Sequence, residues 1–162
     1  MPRFLSGLSL SLLCLLAPSS AASAQAAGEK DAVLAVVNRL FDGMRMRDTT
    51  VMNSVWAPGA RLVRVDKRSV PEAIAYIPAS EFTGRVAAAT GDAWTERIYD
   101  SVVQVDDGIA QVWAYYTFHL GEKFSHCGYD AFHLVKANGE WRVTQVIDTS
   151  RNAGCRMTDP SP

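Results

Sequence analysis

The stretch from Thr95 to Arg151, TERIYDSVVQVD-DG-IAQVWAYYTFHL-GE-KFSHCGYDAFHLVKA-NG-EWRVTQVIDTSR, decides the fold. Its apolar residues recur with a period near two, and three turn signals divide it: Asp107-Gly108, Gly121-Glu122 and Asn138-Gly139. Four consecutive antiparallel strands are expected, over Thr95–Asp106, Ile109–Leu120, Phe124–Lys136 and Glu140–Arg151. A two-residue hairpin loop fixes which residues face each other. Ile109 then lies opposite Asp106, Phe124 opposite His119, and Glu140 opposite Ala137. Carried inward, this register sets Trp113 against Asp130 and Val102, Tyr115 against Asp100 and Gly128, Thr117 against His126, and Asp130 against Ile147. One face collects Trp113, Tyr115, Thr117, His119, Asp100, His126, Asp130, Phe132, Gln145 and Ile147. The other collects Val112, Ala114, Tyr116, Phe118, Cys127, Tyr129, Ala131, Val146 and Asp148. Both faces are mostly apolar, so each needs a cover. Helices supply one cover, and a second copy of the chain is the simplest other one, which predicts a homodimer.

Upstream, Val33, Val36, Val37, Leu40, Phe41 and Met44 recur at helical spacing, while Arg39, Asp42, Arg45 and Arg47 fall largely on the other side. This is a long amphipathic helix. Asp48 is placed to cap a short second helix over Thr49–Val55, with Pro58-Gly59 as its stop. Ala60–Val65 reads as a strand, Glu72–Ile77 is open between strand and helix, and Phe82 to Ala89 supports a third helix ending at Gly91.

The first 24 residues have the layout of a secretory signal: Arg3, an apolar run from Leu8 to Leu16, and the small-residue cleavage site Ala22-Ser23-Ala24. Leu12 and Leu13 before Cys14 are not the small residues of a lipoprotein signal. The expected organisation is a signal peptide over 1–24, one domain over 25–155 and a loose tail over 156–162, in a secreted or periplasmic protein. The mature chain would hold 15 basic and 17 acidic residues, which offers no basic excess for nucleic acid or an anionic membrane. Its two cysteines, Cys127 and Cys155, would meet an oxidising compartment, where a disulfide is the expectation and two unlinked buried thiols the alternative. His119, His126 and His133 lack acidic or cysteine partners at ligand spacing, so no metal and no cofactor is expected. There is no glycine-rich phosphate loop and no serine elbow.

The segments Val36 to Met44, Trp56-Ala57-Pro58-Gly59-Ala60, Phe124 to Asp130 and Gly139 to Val143 give this order of elements a resemblance. The chain resembles the nuclear transport factor 2 (NTF2)-like superfamily, and within it the small bacterial SnoaL-like or putative lumazine-binding domains. The resemblance implies an α+β, cystatin-like cone in which three N-terminal helices pack on a strongly curved, mainly antiparallel sheet, with a pocket between helices and sheet. The superfamily holds isomerases, dehydratases, hydrolases and cyclases beside members that only bind or oligomerise. Function must therefore be argued from side chains.

His126 and Asp130 stand four apart on one strand and share a face. A carboxyl buried beside Trp113 would have a raised pKa, suited to a general acid or base. Tyr115, opposite Asp100, is a candidate donor to a substrate oxygen. Ranged against this chemistry is a buried polar cluster that merely satisfies itself. Three readings follow: a domain binding a small apolar or aromatic molecule in a pocket lined by Trp113, Asp100, Thr117, His119, Phe132, Gln145 and Ile147; a cofactor-free isomerase, dehydratase or hydrolase using Asp130, His126 and Tyr115; and a dimeric accessory module without a ligand.

Overall fold

The computed structural model describes residues 19–156. Most of the leader expected over 1–24 and the tail beyond residue 156 lie outside the described residues. Helix α1 (Ser19–Met46) is followed by α2 (Thr49–Val55), β1 (Trp56–Asp66), β2 (Ala73–Pro78), α3 (Ala79–Ala88), β3 (Trp94–Asp106), β4 (Ile109–Leu120), β5 (Lys123–Ala137) and β6 (Glu140–Ser150). The undecided segment before Pro78 is thus strand β2. Among the described residues, no helix is long and apolar enough to cross a membrane.

The apolar stripe of α1 is buried as its spacing predicts: Val33, Val37, Leu40, Phe41 and Met44 all join the core. The helix stops where Arg47 adopts φ 53°. Asp48 then turns the chain, its carboxylate accepting from the amides of Thr50 and Val51 at 2.9 and 3.0 Å to cap α2. At its base α1 is tied to the sheet by Glu29, which accepts from Lys136 Nζ at 2.6 Å and Trp141 Nε1 at 2.9 Å.

The meander β3 to β6 forms in the expected order and the sheet is mainly antiparallel, but the expectation of a strongly curved cone is corrected. The sheet is open and mixed, six strands in the order β2-β1-β6-β5-β4-β3, with free edges at β2 and β3. Strand β1 runs parallel to β6, pairing Leu62 with Val146 and Arg64 with Asp148, and β2 adds a short outer strand. A parallel pairing between strands so far apart in sequence has no turn to announce it, whereas each antiparallel hairpin does.

The register also differs from the one drawn from the turns. Leu120 pairs with Lys123 and His119 with Phe124, as the tight turn dictates, but Phe118 pairs with His126, leaving Ser125 as an extra residue on β5. From there inward the pairing has slipped by one: Thr117 faces Cys127, Tyr115 faces Tyr129, and Trp113 faces Ala131. Asp130 faces Asp148 rather than Ile147. A second bulge, at Asp100 with φ 53°, lets Trp113 keep Val102 while Tyr115 takes Tyr99. A bulge adds one residue to one strand and so exchanges the faces beyond it. Strand β4 therefore presents Val112, Ala114, Tyr116 and Phe118, not Trp113 and Tyr115, to the same side as Asp130.

Cys127 and Cys155 are disulfide-bonded, with Cα atoms 5.8 Å apart. The bond holds the chain end against the outer sheet face, where Arg156 N–H donates to the Tyr115 hydroxyl at 2.8 Å and its guanidinium lies 4.0 Å from the Tyr115 ring centre.

Gly128 tests the packing of β5 on β6. A Cβ there would stand 1.8 Å from Thr149 O and 2.7 Å from Tyr116 Cε1. Gly128→Ala should cost about 3 kcal/mol or more in urea unfolding, since backbone and a buried ring must both move. Gly84→Ala, in α3 with open space around it, should instead gain about 0.5–1 kcal/mol. Equal stabilities for the two variants would contradict this packing.

Candidate functional site

A cavity of about 390 Å³ lies between α1, α3 and the inner face of the sheet, within the size range of small-molecule sites. Leu40, Phe41 and Met44 of α1 face Phe82, Phe118 and Phe132 across it. Phe41 and Phe132 meet edge to face at 5.9 Å. Into this apolar chamber four strands bring a charged cluster: Arg64 from β1, Glu96 from β3, His126 and Asp130 from β5, and Asp148 from β6.

Strand register positions the cluster. Arg64 and Asp148 are Cα partners across the parallel pair, so the guanidinium Nε donates to Asp148 Oδ2 at 2.7 Å. Asp130 is the Cα partner of Asp148 on the next strand. The carboxyls of Asp130 and Glu96 lie close enough to share a proton. Asp130 and Asp148 are fully buried, whereas Glu96 is half-buried and lines the cavity, so part of its remaining surface is cavity wall.

Two carboxyls in hydrogen-bond contact must hold a proton between them. Burial, then the charge and hydrogen bond of Glu96, push Asp130 well above the usual carboxylate range. Burial first, and the Asp148 charge with it, raise Glu96 to about 7, against the opposing Asp130 hydrogen bond and Arg64 charge. Asp130 is the proton donor of the pair near neutrality and Glu96 the titrating acceptor. Asp148 is raised by burial too, with Arg64 opposing. Tyr116 is driven upward by burial and by these same acids, and its hydroxyl donates to Thr149 O at 2.8 Å.

His126 is lowered to about 4 by burial and by the charges of Arg68 and Arg64, so its imidazole is neutral at pH 7. The ring stacks on Phe118 at 4.8 Å, and Nδ1 lies 3.0 Å from Ser125 Oγ. Among the described residues its Nε2 has no hydrogen-bond partner. Neither has Asp130 Oδ2 nor Asp148 Oδ1, so three buried residues of the cavity wall each keep an unsatisfied polar atom.

Of the residues singled out from sequence, Asp130, His126 and Phe132 line the cavity. The others lie elsewhere. Trp113 is half exposed and stacks on Tyr129 at 5.2 Å on the outer face. Tyr115 is buried there beneath Arg156, which also binds exposed Asp100 at 2.6 Å. The Thr117 hydroxyl lies 3.3 Å from that of Tyr99. Gln145 accepts from Arg61 at 2.8 Å, His119 meets Phe124 edge on, and Ile147 pairs with Ala131 on the outer side. Glu96, Asp148 and Arg64 were missed as cavity residues. A signal for Glu96 was present, because Trp94, Glu96 and Ile98 alternate and set one carboxyl on an otherwise apolar side. Among the described residues, no group of three His, Cys, Asp or Glu is placed to hold a metal ion.

Residues 28–146 match the family described as putative lumazine-binding. Comparison with curated proteins gives no match. Among solved structures, a function-unknown protein from Mycobacterium tuberculosis is similar with a TM-score of 0.68 at 14% identity, over 85% of this chain and 80% of that one. An NTF2-like protein with a cystatin-like fold from Novosphingobium aromaticivorans gives 0.67 at 10% identity, over 86% and 94%. One of unknown function from Shewanella baltica gives 0.60 at 16%, over 78% and 97%. At these identities the likeness concerns the fold.

The Glu96 proton leaves a signature in stability. Glu96 is raised from 4.5 to about 7 in the fold, so the folded chain binds that proton more tightly than the unfolded chain. Its stabilising contribution is complete below about pH 4.5 and is lost as pH rises through about 7. Relative to Glu96→Gln, the wild type should lose up to about 3 kcal/mol between pH 4.5 and pH 8 in urea titrations, because a tenfold difference in proton affinity between folded and unfolded chains is worth about 1.4 kcal/mol. Parallel pH profiles for the two proteins would show that Glu96 is not held in this environment.

Proposed function

The chain belongs to the family described as putative lumazine-binding, in the NTF2-like superfamily, and from that premise we propose that it binds a small molecule with an apolar or aromatic body in the cavity between α1 and the sheet. The observation that carries this reading is the trio of buried, unpartnered atoms His126 Nε2, Asp130 Oδ2 and Asp148 Oδ1 on the wall of an otherwise apolar chamber. Leaving such atoms unmade costs about 1–3 kcal/mol each, and a ligand that supplies the missing hydrogen bonds recovers it. The cavity volume itself speaks against an accessory module with a filled interior.

A second reading, cofactor-free proton transfer, is favoured by the Glu96–Asp130 pair. A base near pH 7 beside a neutral acid is the division of labour that acid–base chemistry needs, and the handling of two carboxyls in ketosteroid isomerase is a known case of such tuning. His126 keeps the assisting role expected from sequence in this reading, while Asp130, expected as the base, becomes the neutral acid and Glu96 takes the base's place. Tyr115, whose hydroxyl meets Arg156 on the opposite face, has no part in it.

We further propose that the chain is exported and pairs with a second copy through its outer sheet face. The disulfide suits an oxidising compartment. Trp113, Val102 and Ile109 expose more than half of their surface there. A dimeric mass in light scattering, reduced to monomer by Trp113→Glu, is the expected result.

Binding is tested by filling the cavity. Lumazine and other bicyclic aromatics, screened by thermal shift, should include compounds that raise the Tm of the wild type. Val146→Phe should abolish that response while the variant still folds, because Val146 is buried on the cavity wall. Shifts that survive in Val146→Phe would place binding elsewhere. For any substrate that is turned over, Glu96→Gln should lower kcat by roughly 10²–10⁴-fold, the usual worth of a general base. Tyr115→Phe should leave kcat unchanged.

A further inference from the structure

We propose that the cavity selects a cation: an ammonium or amidinium group carried on an apolar body and seated against Glu96, Asp130 and Asp148. The inference rests on the small-molecule reading above and names the chemical class of the ligand.

The cations around the cavity are already paired. Arg64 is bound to Asp148 at 2.7 Å. Arg68, which also lines the cavity, is gripped by Asp66 through Nε and Nη2, both at 2.9 Å. Both cations of the lining therefore have their anions. Among the described residues, neither Glu96 nor Asp130 has a cation bonded to it; the charge of Arg64 reaches both, but its guanidinium is committed to Asp148. The remaining groups do not change the balance. His126 is neutral, the Tyr116 hydroxyl is engaged by Thr149 O, and Asp92 adds a further negative charge to the lining.

Hydrogen-bond capacity points the same way. Asp148 Oδ1 is a carboxylate acceptor without a donor, and Asp130 Oδ2 is a second orphan on the neighbouring strand. Both residues are more than nine-tenths buried. An ammonium brings up to three donors and no acceptor, matching orphans that accept. An alcohol brings one donor, and a carboxylate brings acceptors and a like charge, which is repelled at such a site. The apolar body of such a ligand meets aromatic walls in Phe82, Phe118, Phe132 and Trp94.

Charge selection implies proton linkage. An ammonium beside the Glu96–Asp130 pair favours its ionised form, so binding below neutrality expels a proton. No bond is made or broken in the ligand, and the proton goes to solvent. Affinity therefore rises with pH as Glu96 ionises in the free protein, and levels off above about pH 7.

The experiment uses three probes of one shape: 1-naphthylmethylamine, 1-naphthylmethanol and 1-naphthoate. Calorimetric titration of the full chain at pH 6, 7 and 8, in buffers of different ionisation heat, reads affinity and protons released together. The amine should bind at least about tenfold more tightly than the alcohol, gain about tenfold between pH 6 and pH 8, and release close to one proton at pH 6. Glu96→Gln should flatten the pH dependence and erase most of the preference, with its Tm as the check on folding. Asp130→Asn serves the same purpose if Glu96→Gln does not fold. An alcohol or carboxylate bound as tightly as the amine overturns cation selection but leaves the small-molecule reading intact. Failure of all three probes to bind overturns that reading as well. An amine whose affinity and pH profile are unchanged in both variants overturns the seat proposed for its charge.

Discussion

The Arg64–Asp148 ion pair is the joint on which the rest of this structure depends. It spans the parallel contact between β1 and β6, where the N-terminal half of the chain meets the meander that follows it. Taking two charges out of water costs several kcal/mol per ion, and their attraction offsets that only with good geometry. Here register supplies the geometry, since the two residues are direct partners across the strands. Removing Arg64 would leave Asp148 buried without its counter-charge, which is far worse than never having had the pair. With Arg64 in place, Asp148 stays an anion beside Asp130, and its field helps keep the proton on the Glu96–Asp130 pair. The cluster is thus a chain of dependences rather than four separate residues.

Much of the fold was legible because its signals are local. The stripe from Val33 to Met44, the cap at Asp48 and the three hairpin turns each announce an element within a few residues of where it forms. The parallel seat of β1 was not legible, because nothing near Leu62 or Arg64 specifies a partner more than eighty residues away. Strong curvature was inferred from likeness to a fold family, and likeness carries general architecture better than the shape of one sheet. The open edges at β2 and β3 belong to this chain.

The candidate site was half legible, and bulges with no announcing turn explain much of the missing half. Asp130, His126 and Phe132 lie on the same strand, so counting by twos from any of them keeps them together. Trp113 and Tyr115 were joined to them only through the turn at Gly121-Glu122, and Ser125 intervenes as a bulge between that turn and the site. Beyond it every residue of β4 changes face. The slip turned Trp113 and Tyr115 outward and brought Tyr116 and Phe118 inward, and a separate bulge, at Thr144 between β5 and β6, moved Asp148 from the supposed outer face to a place beside Asp130. Bulges carry no composition signal comparable to Asn-Gly in a turn. Asp100, in the left-handed region without being glycine, is the nearest thing to one.

Why the cluster persists is then a question of energy. Three carboxyls facing an apolar chamber, with one guanidinium among them and three orphan atoms, lower stability compared with an apolar lining of equal volume. The disulfide and the cap at Asp48 act in the opposite direction, and both lie away from the cavity. A chain selected for stability alone would replace Glu96, which stands on a strand otherwise suited to a packed aliphatic. The same replacement would relax Asp130 and close the chamber. Natural sequences break local rules of this kind mainly where something other than folding constrains them. The constraint here is located in a few residues with defined protonation: a neutral imidazole, an acid that keeps its proton, and an acid that exchanges its proton near pH 7. A ligand that completes their hydrogen bonds removes the cost in the same step that binds it.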